Sequence, residues 1–124
     1  MSTPLILTCN SDEAVAMTVS KFAKENGYES CATADARPFK KFFIRWDPVL
    51  IVYDFYAEFF DGIELVQWLI AENSTADVAM TDGKGIGGGI TGAATALAEN
   101  TNKFRLSVLP FGASSDDVLA ALKI

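Results

Sequence analysis

The stretch that decides the fold is Pro48-Val49-Leu50-Ile51-Val52-Tyr53-Asp54, with Asp61-Gly62 following after six further residues. A continuous apolar run rich in β-branched side chains is typical of a central strand that is covered on both faces of a parallel sheet. Asp54 ends this run, and Asp61 begins a helical pattern whose apolar positions are Ile63, Val66, Leu69 and Ile70. The stretch therefore predicts one strand–helix unit of an α/β fold.

Outward from this unit, the chain keeps alternating between short apolar runs and helical stripes. Four further strands are predicted at residues 4–9, 29–33, 76–80 and 104–109. The helical patterns begin near Asn10-Ser11-Asp12, Asp35, Asp61, the glycine-rich stretch 82–92 and residues 114–117. Five strands alternating with five helices predict one α/β domain, residues 1–124, with a parallel sheet covered on both faces. In such a sheet the functional site lies beyond the carboxyl ends of the strands.

The composition excludes several classes of function. The chain has 124 residues, 50% of them apolar, a net charge of −6 and no histidine. This charge opposes binding to nucleic acid or to an anionic membrane surface, and the lack of histidine excludes Ser-His-Asp and Cys-His catalysis. Cys9 and Cys31 lie in apolar runs, so we interpret both as core residues. Since the sequence shows no signal peptide and no apolar run of about 20 residues, we expect a cytoplasmic protein.

The second predicted helix has one aromatic face and one basic face. The aromatic residues are spaced for burial against a core, at Phe39, Phe42, Phe43 and Trp46. The basic residues lie off that stripe, at Lys40, Lys41 and Arg45. We therefore interpret them as a solvated face rather than as a nucleic-acid surface.

Asp54 is the strongest candidate for chemistry, because its carboxylate follows directly after the apolar strand. A carboxylate at the mouth of the sheet can act as a nucleophile towards a phosphoryl group and form an acyl phosphate. An aspartate at this position is equally typical of a turn or a helix cap. Position alone leaves both interpretations open.

The wider pattern resembles the response-regulator receiver family along the whole chain. The residues that carry the resemblance are Pro48 to Asp54, Asp61-Gly62-Ile63-Glu64-Leu65, Thr81 and Pro110-Phe111. The resemblance implies a flavodoxin-like three-layer fold with strand order 2-1-3-4-5, and a role in phosphorelay signalling. It also implies that Asp54 is the phosphoacceptor and Thr81 the switch hydroxyl. The implied partners are a histidine kinase or a phosphotransfer protein, and a second copy of the chain in a homodimer.

Four family positions are altered, one of them the aromatic switch position, where this chain has Leu106. The acid pair that holds Mg²⁺ beside the phosphoacceptor is replaced by Asn10 and Ser11, and the lysine before Pro-Phe is replaced by Leu109. Mg²⁺ prefers charged oxygen ligands, which leaves Asp54 and, as a weak helper, Asp12. Asp12 serves equally well as a helix cap. We therefore expect a receiver with a weakened phosphoryl site that acts through protein–protein interaction, with at most slow self-phosphorylation and no enzyme activity of its own.

The glycine-rich stretch 82–92 supports an alternative function. Gly83-Lys84-Gly85-Ile86-Gly87-Gly88 matches G-x-G-x-x-G after a strand, so Thr81, Asp82 and Lys84 are candidates for binding a phosphoryl group or another anion. The alternative is thus a flavodoxin-like domain that binds a nucleotide or a small anion. Against a dinucleotide, no acid lies about 20 residues further on. A loop shaped for a partner protein also fits this composition.

Four aromatic residues follow Asp54, at Phe55, Tyr56, Phe59 and Phe60. If their rings are exposed, they form an interface beside the functional site. If they are buried, they close over the site or pack on a neighbouring loop. The sequence leaves both arrangements open.

Overall fold

A computed structural model describes residues 3–81 and 104–109. The described elements alternate as expected: β1 (Leu5–Cys9), α1 (Glu13–Glu25), β2 (Glu29–Thr33), α2 (Phe39–Trp46), β3 (Leu50–Asp54), α3 (Gly62–Ala71), β4 (Asp77–Thr81) and β5 (Leu106–Leu109). The predicted fourth and fifth helices lie outside the described residues.

The five strands form one parallel sheet in the order β2-β1-β3-β4-β5. This order confirms the flavodoxin-like topology expected from the sequence. β3 lies at the centre, and its residues from Leu50 to Tyr53 are all buried. A strand between two parallel neighbours needs apolar side chains on both faces, which explains its unbroken apolar run.

Alternate residues of the strands build two cores, one on each face of the sheet. On one face, Ile6, Val52 and Ala79 pack against buried residues of α1, among them Val19 and Phe22. On the other face, strand residues pack against α2 and α3, and this core includes Leu7, Ile51, Tyr53, Met80, Phe39 and Leu65. The period-two alternation of the strands therefore determines which side of the sheet each strand-end residue faces.

Helices α1 and α3 begin at the predicted residues. Asp12 caps α1, and its side chain accepts a hydrogen bond from Ala14 N at 2.9 Å. Asp61 caps α3 and forms a reciprocal capping box with Glu64. After α1, the chain turns at Gly27, whose φ of 77° lies in the left-handed region that glycine adopts without strain.

Helix α2 differs from its prediction at both ends. Its N-cap is Pro38 rather than Asp35, because the Asp35 side chain accepts hydrogen bonds from the backbone and the guanidinium of Arg37. At the other end, Trp46 is 45% exposed, so the aromatic face is only partly buried. The basic residues Lys40, Lys41 and Arg45 are exposed, which confirms the solvated face. None of the helices among the described residues has the length and apolarity needed to cross a membrane.

Candidate functional site

Three polar side chains lie together where β1, β3 and β4 end. Asp54 is paired with Thr81 in the β3–β4 register, and Cys9 is paired with Tyr53 in the β1–β3 register. Continued by one residue, the second register places Asn10 beside Asp54. By the alternation of the strands, all three residues extend the rows of Ile6, Val52 and Ala79, on the α1 side of the sheet.

Asn10 holds this site together through its side-chain amide. The residue is 8% exposed, and its Nδ2 donates a hydrogen bond to Thr81 Oγ1 at 2.9 Å. Its Oδ1 accepts from Asp12 N at 2.9 Å, and its backbone N donates to Thr33 O at 3.0 Å. Because β3 lies between β1 and β4, the bond from Asn10 to Thr81 spans the end of β3, where Asp54 emerges.

The Asp54 side chain is half-buried and lies at the start of a tight turn. Its Oδ1 accepts a hydrogen bond from Tyr56 N at 3.0 Å, and its backbone O accepts from Ala57 N at 3.1 Å. The turn interpretation of this aspartate is therefore correct, since the side chain orders its own loop. It does not exclude the phosphoacceptor interpretation, because a carboxylate has a second oxygen with which to act as a nucleophile.

The Thr81 hydroxyl, the candidate switch group, is held on two sides. It accepts the hydrogen bond from Asn10 and lies 3.4 Å from Tyr53 O, to which it donates. Both the proton and one lone pair of this hydroxyl are therefore engaged by protein groups. Thr81 lies beside the Asp54 carboxylate but is bonded to its other neighbours.

The residues present do not fit a tight magnesium site. Among residues 3–81 and 104–109, no three His, Cys, Asp or Glu side chains are grouped in a way that could hold a metal ion. Asn10 contributes a neutral amide whose two polar atoms are both hydrogen-bonded, and Ser11 is exposed. Asp12 uses Oδ1 to cap α1, as the alternative interpretation of that residue predicts. Asp54 is thus the only charged group of the described strand-end trio.

The four aromatic residues after Asp54 are not uniformly exposed, and two of them adopt the buried arrangement that the sequence left open. Phe55 is 2% and Phe60 8% exposed, while Tyr56 is half-buried and contacts the Phe55 ring edge-on. Phe55 is buried because α3 begins with Gly62, whose missing side chain leaves room for the ring. Only Phe59 projects outwards, 67% exposed, with the guanidinium of Arg37 at 4.7 Å from its ring centroid.

Behind the site, Cys9 and Tyr53 form a buried pair on the opposite face of the sheet. The sequence pattern predicted no functional role for Tyr53. Burial raises the pKa of the Cys9 thiol to about 12, and burial likewise raises the pKa of Tyr53. The Tyr53 hydroxyl donates a hydrogen bond to Phe60 O. Neither group is a nucleophile at neutral pH, but Tyr53 fixes the loop that carries the residues after Asp54. An alternating strand pattern alone gives no signal for such a contact.

The remaining candidates are not placed by the structure. Asp82, Lys84 and the glycine-rich stretch 82–92 lie outside the described residues, as do Pro110 and Phe111. Leu109 ends strand β5, where its backbone pairs with Thr81, and only its backbone is described.

Comparison with known proteins gives a consistent result for the fold. No protein-family model matches the chain, and no curated protein matches it. Among solved structures, it is similar to the chemotaxis response regulator CheY4 of Vibrio cholerae, with a TM-score of 0.77 and 15% identity over 98% of each chain.

Two other solved structures extend the likeness. A receiver domain of a sensor histidine kinase from Pseudomonas aeruginosa, with a magnesium ion coordinated in its active-site cleft, has a TM-score of 0.71 and 13% identity, over 98% of this chain and 96% of that one. Full-length FixJ from B. japonicum has a TM-score of 0.77 and 19% identity, over 99% of this chain and 57% of that one. The chain has the fold of the response-regulator receiver domains.

Proposed function

We propose that this chain is a phosphorelay signalling receiver that acts through protein–protein interaction, with Asp54 as its phosphoacceptor at a weakened site. The observation that carries the proposal is the pairing of Asp54 with Thr81 at the carboxyl ends of β3 and β4. In an open α/β sheet this edge is where ligands and reacting groups meet. The partner would be a histidine kinase or a phosphotransfer protein that supplies the phosphoryl group.

The reaction needs little covalent chemistry from the protein. An oxygen of the Asp54 carboxylate attacks the donor phosphorus, the bond between phosphorus and the donor breaks, and an acyl phosphate forms at Asp54. The protein's contribution is to position the carboxylate and to stabilise the charge on the transferring group. The turn at Tyr56 N supplies the positioning.

Charge stabilisation is where this site is weak. Asn10 is neutral, Thr81 is engaged by Asn10, and the described residues provide no metal cluster. A magnesium-bound receiver is known among the structurally similar proteins, but the donors of this chain do not fit such a site and we derive no step through a metal. We therefore expect slow phosphorylation and an output that depends mainly on contacts with a partner.

The test is intact-mass spectrometry of the folded chain after incubation with acetyl phosphate, with and without Mg²⁺. We expect slow addition of one phosphoryl group to the wild type, with acetate as the leaving product, and no addition to Asp54→Asn. Asp47→Asn is the matched control, because Asp47 is exposed, lies at the end of α2 and has a left-handed backbone that asparagine accepts. Absence of the adduct from folded wild type would show that Asp54 is not a phosphoacceptor.

The interaction part of the proposal has its own readout. A histidine phosphotransfer domain, added as a labelled probe, should bind the wild type, and Asp54→Asn should retain part of that binding. If the phosphotransfer probe bound neither the wild type nor Asp54→Asn, the interaction part of the proposal would be contradicted. The alternative of a nucleotide site at 82–92 rests on residues that are not described, and no described residue favours it.

A further inference from the structure

We propose that Asn10 acts as a neutral brace, which means that its side chain links the strand ends by hydrogen bonds where a charged side chain would bind a metal ion. The Asp54 site is then closed to divalent cations until the hydrogen bond from Asn10 to Thr81 is broken. This inference rests on the proposed function, because it names what restrains the same site. It starts from the disagreement between the receiver fold and the donors that this chain presents. The brace requires an amide that donates a hydrogen bond from position 10, whereas a magnesium site favours a carboxylate there.

The hydrogen bonds of Asn10 join the ends of β1, β2 and β4. Asn10 connects three strand ends, through Thr33 O of β2, its own position after β1, and Thr81 Oγ1 of β4. Adjacent strands lie about 4.8 Å apart, so the bond to Thr81 bridges two strand spacings across the end of β3. A buried polar group that makes such a long-range bond costs free energy when its partner is lost. The bond is therefore a fixed part of the folded site.

This set of side-chain hydrogen bonds requires an amide at position 10. Asn10 Nδ2 donates to Thr81 while Oδ1 accepts from Asp12 N, whereas a carboxylate only accepts hydrogen bonds. With an aspartate at position 10, the Thr81 hydroxyl would have to turn its proton from Tyr53 O towards the new carboxylate. The isosteric change would keep the size of the side chain and reverse the direction of one bond.

The charge at position 10 also decides whether the site needs a cation. An aspartate at position 10 would lie next to Asp54, and two carboxylates that share a site repel each other unless a cation lies between them. Mg²⁺ is commonly held by one or two carboxylates while keeping several waters. In the wild type the described trio supplies one carboxylate, and the Asn10 brace satisfies the neighbouring polar groups without a cation.

The test is a titration with MgCl₂ followed by two-dimensional amide NMR, without any phosphodonor. We expect no saturable shift at the amides of residues 10, 54 and 81 in the wild type. Asn10→Asp should show saturable shifts at these amides, because a second carboxylate is added beside Asp54. The double variant Asn10→Asp/Asp54→Asn should lose these shifts.

Asn26→Asp is the matched control. Asn26 caps the other end of α1, where its Nδ2 donates to Phe22 O, so the same chemical change occurs away from Asp54. It should gain no magnesium binding. Equal, saturable binding to wild type and Asn10→Asp would overturn the proposal, as would a folded Asn10→Asp variant without any gain.

A measurement on the wild type keeps the proposal testable if Asn10→Asp does not fold. The side-chain amide protons of Asn10 should exchange with solvent at least about tenfold more slowly than those of exposed Asn26. Equally fast exchange at the two residues would show that the brace does not persist in solution. Because these experiments contain no phosphodonor, failure of phosphorylation at Asp54 would not affect them.

Discussion

Gly62 shows how one missing side chain shapes the surroundings of the candidate site. A Cβ at this position would overlap the Phe55 ring and lie 2.9 Å from Met80 Sδ. In the sequence Gly62 marks the start of a helix, and in the structure it is needed for the packing of Phe55. The close approach lets Phe55, the residue after the candidate phosphoacceptor, enter the core.

We expect Gly62→Ala to lower the free energy of unfolding by about 1–3 kcal/mol, because overpacking forces a buried ring to move. Urea unfolding followed by far-UV circular dichroism measures this change. Gln67→Ala is the control, since Gln67 is exposed on the same helix. The smaller side chain of Phe55→Leu should reduce the cost of Gly62→Ala in the double variant. A Gly62→Ala protein as stable as the wild type would contradict the packing argument.

Cys9 makes the free energy of unfolding depend on pH in the alkaline range. Burial raises the thiol pKa from 9.0 to about 12 in the folded chain, so between these values the unfolded chain loses a proton that the folded chain keeps. The stabilisation that the protonated Cys9 thiol contributes to the folded chain is complete below pH 9 and is lost as the pH rises towards 12. The free energy of unfolding then falls by at most about 1.4 kcal/mol per pH unit.

Urea unfolding at pH 9 and pH 10 tests this dependence, because Tyr53, whose ordinary pKa is 10.0, adds its own contribution mainly above that range. The wild type should lose stability between the two pH values, and Cys9→Ala should lose less. Cys31→Ala is the control, as Cys31 is only partly buried. An identical loss in wild type and Cys9→Ala would show that the thiol is not the cause.

At the scale of the elements, the capping box of α3 is the local signal that the sequence shows most clearly. Asp61 Oδ1 accepts from Glu64 N at 2.9 Å, and Asp61 N donates to Glu64 Oε1 at 3.3 Å. Asp61→Ala should lower the free energy of unfolding by about 0.5–2 kcal/mol, whereas Asp61→Asn should retain most of it, because asparagine is also a good N-cap. Thermal and urea unfolding of both variants measure the difference. Equal losses in the two variants would mean that the cap bond is not what Asp61 contributes.

Elements with strong local signals were predicted correctly, and the helix start that was predicted wrongly has a competing partner close in sequence. The starts of α1 and α3 follow from capping residues that lie close to them in sequence, whereas the strand order follows from the resemblance to the receiver family. Asp35 was expected to cap α2, but it pairs with Arg37 instead, and the helix begins after Pro38. A competing partner two residues away is enough to move a helix start.

The site was predicted only in part, because its decisive bond joins distant residues. Asp54 and Thr81 follow from strand ends, but Asn10 and Thr81 are 71 residues apart in sequence. The sequence shows that Asn10 stands where the receiver family has an acidic residue, and the structure shows that its amide donates a hydrogen bond to Thr81 instead. The burial of Phe55 and Phe60 likewise depends on space left by Gly62 and on the Tyr53 hydroxyl, which no local pattern reports.

At the scale of the whole molecule, the sheet couples two cores, and these share no side chain among the residues that the structure describes. Ile6 is fully buried on the α1 side and Ile51 on the side of α2 and α3, while their backbones lie in neighbouring strands. One sheet with a core on each face, in a chain of this size, is expected to unfold in one cooperative transition. A substitution that destabilises either core should therefore lower the free energy of unfolding of both faces of the sheet together.

Ile6→Val and Ile51→Val test this coupling with the same chemical change on opposite faces. Each should lower the free energy of unfolding by about 0.5–1.5 kcal/mol, because a buried methylene group is lost. Trp68, which contacts Phe39, Phe43 and Phe60, reports by fluorescence on the α2 and α3 side alone, whereas circular dichroism reports on the whole fold. Coincident urea midpoints by both probes are expected for each variant. If Ile6→Val shifted only the circular dichroism transition, the two cores would unfold separately, and the sheet would not couple its two faces.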